Sequence, residues 1–187
     1  MVARMASDFS ISHAAHLIRH GGIIAYPTDT IYGLGCDPYN ADAVAAINDI
    51  KQRPLSKQFI LLAGHIDQIA PLADLDNEQR QKLTRTTEPT SWVVEARSSV
   101  PSWLVGSSGT IAIRISQHPD VQRLCRTLGH AIISTSANPS GKPPARSSLE
   151  LHKYFHHSLD KILANHQMLT ASPSKVIRLC DNHILRQ

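Results

Sequence analysis

Apolar positions along this chain fall into short blocks with two alternating spacings. Ala14, Ala15, Leu17 and Ile18 mark one helical face, and Gly21-Gly22 supplies the stop that follows. Ile23 to Tyr26 is a continuous apolar run of strand length. From Pro27 to Gly35 the pattern breaks into hydroxyls, glycines and one carboxylate, and this stretch reads as a loop leaving the strand. Asn40 or Asp42 caps a second helix through Val44, Ile47 and Ile50. Pro54 ends that helix, because proline disfavours helical geometry in the residue before it. Phe59 to Ala63 is apolar on both faces and reads as a central strand. Residues 66–86 read as two helical pieces around Pro71, Trp92 to Val94 as a strand core, and Pro101 to Gly109 as a connection.

The clearest alternation runs from Thr110 to Ile115. Ile111, Ile113 and Ile115 share one face, and Thr110, Ala112 and Arg114 share the other. The polar face either lines a cleft or belongs to an edge strand that meets water. Pro119 opens a helix through Val121, Leu124, Cys125 and Leu128, which Gly129 closes. Ala131 to Ser134 is a further strand, residues around Leu149 to Phe155 a further helix, and Val176-Ile177 with Ile184-Leu185 a closing strand pair. Strands and helices interleave throughout, which predicts an α/β or α+β layered architecture.

Composition narrows this picture. With 187 residues, 42% of them apolar and 18% charged, the chain is globular, long enough for a substantial core, and expected to form one domain over 1–187. A net charge of +4 favours anionic partners, nucleotides or RNA alike. No apolar run approaches a membrane span, and the first residues lack the apolar core of a leader peptide. Cys36, Cys125 and Cys180 are odd in number and widely spaced, which argues for a reducing cytoplasm and against a disulfide framework or zinc site.

Candidate chemistry gathers at two places. Lys51, Arg53 and Lys57 put three cations and no acid into seven residues where a helix gives way to a strand. Arginine offers a planar fork for phosphate oxygens and lysine a mobile point charge, so the cluster suits a polyphosphate; a solvated basic turn is the plainer reading. Ser134-Thr135-Ser136-Ala137-Asn138 follows a buried strand and is rich in hydroxyls. Neither the Gly-x-x-x-x-Gly-Lys loop nor the Gly-x-Gly-x-x-Gly turn occurs, and no serine sits in a Gly-x-Ser-x-Gly elbow. His13, His16 and His20 share a helical face and His152 with His156 has metal-like spacing, but neither set has acidic or cysteine ligands nearby, so no metal site is expected.

Taken in order, Pro27 to Gly35, Lys51-Gln52-Arg53 with Lys57, the Thr110–Arg114 strand, and Ser134 to Asn138 with Ser140-Gly141 closely resemble the YrdC-like family of threonylcarbamoyl-AMP synthases in its short bacterial form. The resemblance covers nearly the whole chain. It implies a YrdC/RibB-like fold: a twisted mixed β-sheet with surrounding helices and a large concave cationic cavity. It implies L-threonine, bicarbonate and ATP as substrates, Mg2+ accompanying ATP, and L-threonylcarbamoyl-adenylate and pyrophosphate as products. Partner proteins would consume the adenylate to modify the adenosine beside the anticodon of tRNAs. By resemblance, Lys51, Arg53, Ser136 and Asn138 form the catalytic set. Arg53, Lys57, Thr110, Ser136, Pro144 and Arg186 would hold ATP, and Thr30, Arg114, Ser134 and Ser174 would hold threonine. Asp29, Gln58 and Leu62 stand where relatives often carry Glu, Pro and His, and Glu88 to Ser91 replaces a common Pro-Gly-Pro-x-Thr.

A rival reading from another class is an RNA-binding module, with direct tRNA or RNA contact along a concave basic surface. The chain carries no RNA-binding signature and only 5% aromatic residues, few for base stacking. A third reading is a carbamoyl-adenylate enzyme with a different acceptor.

Overall fold

The structure, a computed structural model, describes residues 5–53, 57–164, 169 and 172–187. In chain order the regular elements are α1 (Asp8–Arg19), β1 (Ile24–Pro27), β2 (Tyr32–Gly35), α2 (Ala41–Lys51), β3 (Ile60–Ala63), α3 (Asn77–Arg85), β4 (Thr90–Glu95), β5 (Thr110–Ile115), α4 (Pro119–Leu128), β6 (Ile132–Ser136), α5 (Ser148–Phe155), β7 (Lys161–Ile162), β8 (Lys175–Arg178) and β9 (Ile184–Arg186). Single 3-10 turns form at Ile66–Ile69 and Ser102–Leu104. The strands build one mixed sheet in the order β7-β1-β2-β6-β3-β5-β4-β8-β9.

Local chemistry explains most boundaries. Ser7 caps α1 by accepting from Ser10 N, and Asn40, not Asp42, caps α2 by accepting from Ala43 N. Pro119 occupies the first turn of α4, and Gly129 ends it in the left-handed conformation at φ 89°. Pro54, the expected stop of α2, lies outside the described residues; the last described turn closes on Gln52 at φ 51°. The stretch expected as a loop from Pro27 to Gly35 contains a strand. Tyr32–Gly35 pairs antiparallel with β1 on one side and β6 on the other. Two glycines in four residues hide its strand character, yet packing requires at least one of them: a Cβ on Gly35 would stand 2.4 Å from Ile133 O and 2.7 Å from Tyr26 Cε1.

β5 is not an edge strand. It pairs parallel with β3 and antiparallel with β4, so its polar face lies inside the molecule. Its isoleucine face, Ile111 and Ile113, packs with Leu61, Trp92, Ile47 of α2 and Leu83 of α3 in the larger core. Each fully buried side chain of this kind stabilises by roughly 1.5–3 kcal/mol. A second core covers part of the opposite face: Ile11, Ala14 and Ile18 of α1 and Val121, Leu124 and Leu128 of α4 meet Ile24, Tyr26, Leu62 and Ile132. Beyond that cover, the same face of the sheet opens into a cavity.

Candidate active site

The cavity has a volume of about 490 Å3, within the usual range for a small-ligand site. Strand register builds its floor. Ser134 pairs with Ile60, Ile60 with Ala112, and Ala112 with Val93, a single row across β6, β3, β5 and β4 that lines the cavity throughout. Val176 and Leu185 of the β8–β9 hairpin continue this apolar surface. Around it stand Lys51, Arg53, Lys57, Arg114 and Arg186, and no carboxylate among the described lining residues.

Lys51 ends α2 and is only 4% exposed. Its Nζ donates to the carbonyl oxygens of Ser136 and, at 2.7 Å, of Asn138, while Ser140 N donates to the Lys51 carbonyl at 2.9 Å. The hydroxyl loop is thereby fastened to the end of the helix. Asn138 is fixed from its other side, its Nδ2 donating to Pro139 O at 3.1 Å and Lys142 O at 2.6 Å. Burial, followed by the charges of Arg53 and Lys57, pushes the Lys51 ammonium down to about 7. The carbonyl acceptors favour the charged form and act against this shift.

Arg53 leaves the helix end and turns back over the sheet. Nη1 donates to Thr135 Oγ1 at 2.9 Å, Nη2 donates to the carbonyls of Lys57 and, at 3.0 Å, Gln58, and the guanidinium lies 4.4 Å above the Phe59 ring. Burial lowers its pKa, although an arginine stays charged throughout the working range. Gln58 in turn donates through Nε2 to Thr110 O at 2.7 Å. The turn that carries Lys57 is therefore tied to both Arg53 and β5.

Across the floor, Arg114 is 5% exposed on β5. Its Nη2 lies 2.5 Å from Asp29 Oδ1, and Nη1 donates to Thr30 Oγ1 at 3.4 Å. The Asp29 contact lacks hydrogen-bond direction: Nε and Nη2 both remain buried with no directed acceptor. These two nitrogens share one edge of the guanidinium, and protein atoms cover it. Nearby, Arg186 donates through Nε and Nη2 to Ser174 O, and Ser174 Oγ pairs with Ser91 Oγ at 2.9 Å. Burial, then the charge of Arg114, lowers the Arg186 pKa.

Of the residues singled out in the sequence, Thr30, Lys51, Arg53, Lys57, Arg114, Ser134, Ser136, Asn138, Ser174 and Arg186 all line this one cavity. Thr110 and Pro144 do not. The Thr110 hydroxyl pairs with Ser108 Oγ at 2.9 Å, and only its carbonyl acts toward the site, through Gln58. Sequence reasoning missed Thr28, Thr135, Ile60 and Val93 as lining residues. Thr135 sits in the hydroxyl stretch and was within reach of it; Ile60 and Val93 become neighbours only through strand register.

No group of three or more metal-ligating side chains forms among the described residues. Asp29 is turned to Arg114 and Ser116, so the protein side of this cavity offers no carboxylate cage for Mg2+. No helix among the described residues is long and apolar enough to cross a membrane.

The profile of the family described as "Telomere recombination" (Sua5_yciO_yrdC) matches residues 16–187. The chain is 40% identical over 178 residues to the threonylcarbamoyl-AMP synthase of Cellvibrio japonicus, covering 94% of either chain. Among solved structures it is similar to Pyrococcus abyssi Sua5 complexed with L-threonine, with TM-score 0.85 and 29% identity, covering 92% of this chain and 51% of that one. It thus spans about half the length of that relative. It is also similar to Escherichia coli YciO, with TM-score 0.84 and 28% identity over 95% of this chain and 88% of that one. Near-full-length identity and the matching profile agree with the motif order and the fold: the chain belongs to the Sua5/YciO/YrdC family.

Proposed function

We propose that this protein catalyses formation of L-threonylcarbamoyl-adenylate and pyrophosphate from L-threonine, bicarbonate and ATP. The observation that carries the reading is the joining of two cationic places in one cavity: the Lys51–Arg53–Lys57 cluster beside the hydroxyl loop, and the nearly buried Arg114 across the floor. The threonine amine captures bicarbonate-derived CO2 as a carbamate. A carbamate oxygen then attacks the α-phosphorus, and the bond to pyrophosphate breaks. No protein nucleophile is needed; alignment and positive charge at the leaving group are.

In this reading Arg114 and Thr30, with Ser134 and Ser174, receive the threonine carboxylate and its neighbours. Lys57 and Arg53 meet phosphate oxygens, and the carbonyl-bound Lys51 keeps the Ser136–Asn138 loop in register against the reacting groups. Arg186 borders both halves. Mg2+ would arrive with ATP, held largely by the phosphates. The product serves tRNA modification beside the anticodon through partner proteins in the cytoplasm. Family membership favours this enzyme over an RNA-binding module. The test is release of pyrophosphate by the purified protein: it should require threonine and bicarbonate together. Equal release without threonine, or salt-sensitive RNA binding with no turnover, would refute the assignment.

A further inference from the structure

Arg114 brings a full charge into the interior, and an uncompensated buried charge is strongly destabilising. Asp29 compensates it, with Oδ1 2.5 Å from Nη2 and the carboxylate itself only 16% exposed. That oxygen stands off the N–H direction, and Nε and Nη2 are covered by protein atoms without a directed acceptor. Asp29 is held in this offset position from behind. Its Oδ1 accepts from Ser116 Oγ at 3.0 Å, and Ser116 Oγ accepts from His118 N at 3.1 Å. His118 caps α4 by accepting from Asp120 N at 3.2 Å, and Gln122 Nε2 donates to Ser116 O at 3.0 Å. The carboxylate is therefore anchored to the start of a helix. On the other flank, Thr28 donates to Ile31 O at 2.7 Å, which leaves Thr30 to donate to Thr28 and to accept from Arg114 Nη1. Arg114 is gripped from both sides. Asp29 does not line the cavity.

We propose that Asp29 is a positioning residue, tied through Ser116 to α4, that neutralises Arg114 and holds it at the cavity wall, and so sets affinity for the threonine carboxylate without touching it. The proposal rests on the reading that Arg114 meets that carboxylate. Asp29→Asn keeps the size and the acceptor for Ser116 but removes the charge. Its KM for threonine should rise about tenfold or more, as for loss of a charge-assisted contact, with kcat and KM for ATP within about threefold of wild type. Asp29→Glu, which keeps the charge, should restore KM for threonine to within about threefold.

Three outcomes in Asp29→Asn would overturn the proposal: an unchanged KM for threonine, a lowered one, which would make Asp29 a repulsive neighbour of the carboxylate, or a parallel rise in KM for ATP. Failure of Asp29→Glu to rescue would assign the effect to shape rather than charge, and overturn it too. If Asp29→Asn does not fold, Ser116→Ala decides. It removes only the anchoring hydroxyl and should raise KM for threonine about threefold, and no change there refutes the anchoring. Calorimetry of threonine binding to the wild type separates the levels. No binding removes the functional reading beneath the proposal; binding with unmoved KM in Asp29→Asn and Ser116→Ala removes the positioning role alone.

Discussion

Arg53 is held on several sides before any ligand arrives: by the Thr135 hydroxyl, by two backbone carbonyls of the following turn and by the Phe59 ring. A lysine at this position keeps the charge but cannot reach Thr135 and the turn at once, because its donors radiate from one nitrogen. Arg53→Lys should therefore lose roughly 10²–10³ in turnover, the usual loss on removal of a preorganised donor. Steady-state kinetics near the wild-type value would show that charge alone is used here. Lys51, Arg53 and the hydroxyl stretch were legible in the sequence because their residue types and order are informative in themselves. Asp29, Ser91 and Thr135 were visible as residues, but their partners Arg114, Ser174 and Arg53 lie more than eighty positions away in the chain. Nothing local in a sequence carries such pairings.

At the scale of elements, the sequence was read correctly wherever periodicity or a cap decided the matter, as in α1, α4 and β5. It failed at β2, where Gly33 and Gly35 suggested a loop and the structure has a strand lodged between β1 and β6. The cause is a close approach rather than a turn: the Tyr26 ring and the Ile133 carbonyl occupy the space where a side chain on Gly35 would stand. Tyr26 is itself fixed, its hydroxyl donating to that carbonyl at 3.0 Å. Gly35→Ala has no flexible chain end to push aside on the carbonyl side and should destabilise by roughly 1–3 kcal/mol through forced backbone shifts. Because β2 also carries cavity-lining Tyr32 and Gly33, the loss should come with reduced turnover per folded molecule. Denaturant unfolding that gives a wild-type midpoint for Gly35→Ala would rule out the close approach.

At the scale of the whole molecule, one face of the sheet does two incompatible things: under α1 and α4 it is a dry core, and beyond them it is a cavity walled by cations. Lys51, at the end of α2, reaches that cavity, and its protonation couples stability to ligand. In the folded chain its pKa is about 7, against 10.5 when unfolded. Below about 7 both states hold the proton and the folded state bears the full cost of a buried ammonium. Between about 7 and 10.5 only the unfolded chain is protonated, so the unfolded state binds more protons and stability rises with pH. Above 10.5 both are neutral and the cost is gone. The slope from this one group is positive and cannot exceed about 1.4 kcal/mol per pH unit. A polyphosphate changes the balance, since an anion beside Lys51 favours the ammonium and brings its folded pKa back toward the unfolded value. ATP should accordingly stabilise the protein more at pH 7 than at pH 10. Urea unfolding of the wild type across this range, with and without saturating ATP, should show stability rising with pH in the free protein and a shrinking ATP increment. Lys51→Met should lack both trends relative to wild type. An ATP increment that is flat with pH, or a Lys51→Met profile parallel to wild type, would mean that the lysine remains an ammonium in the empty cavity, its carbonyl acceptors outweighing its burial.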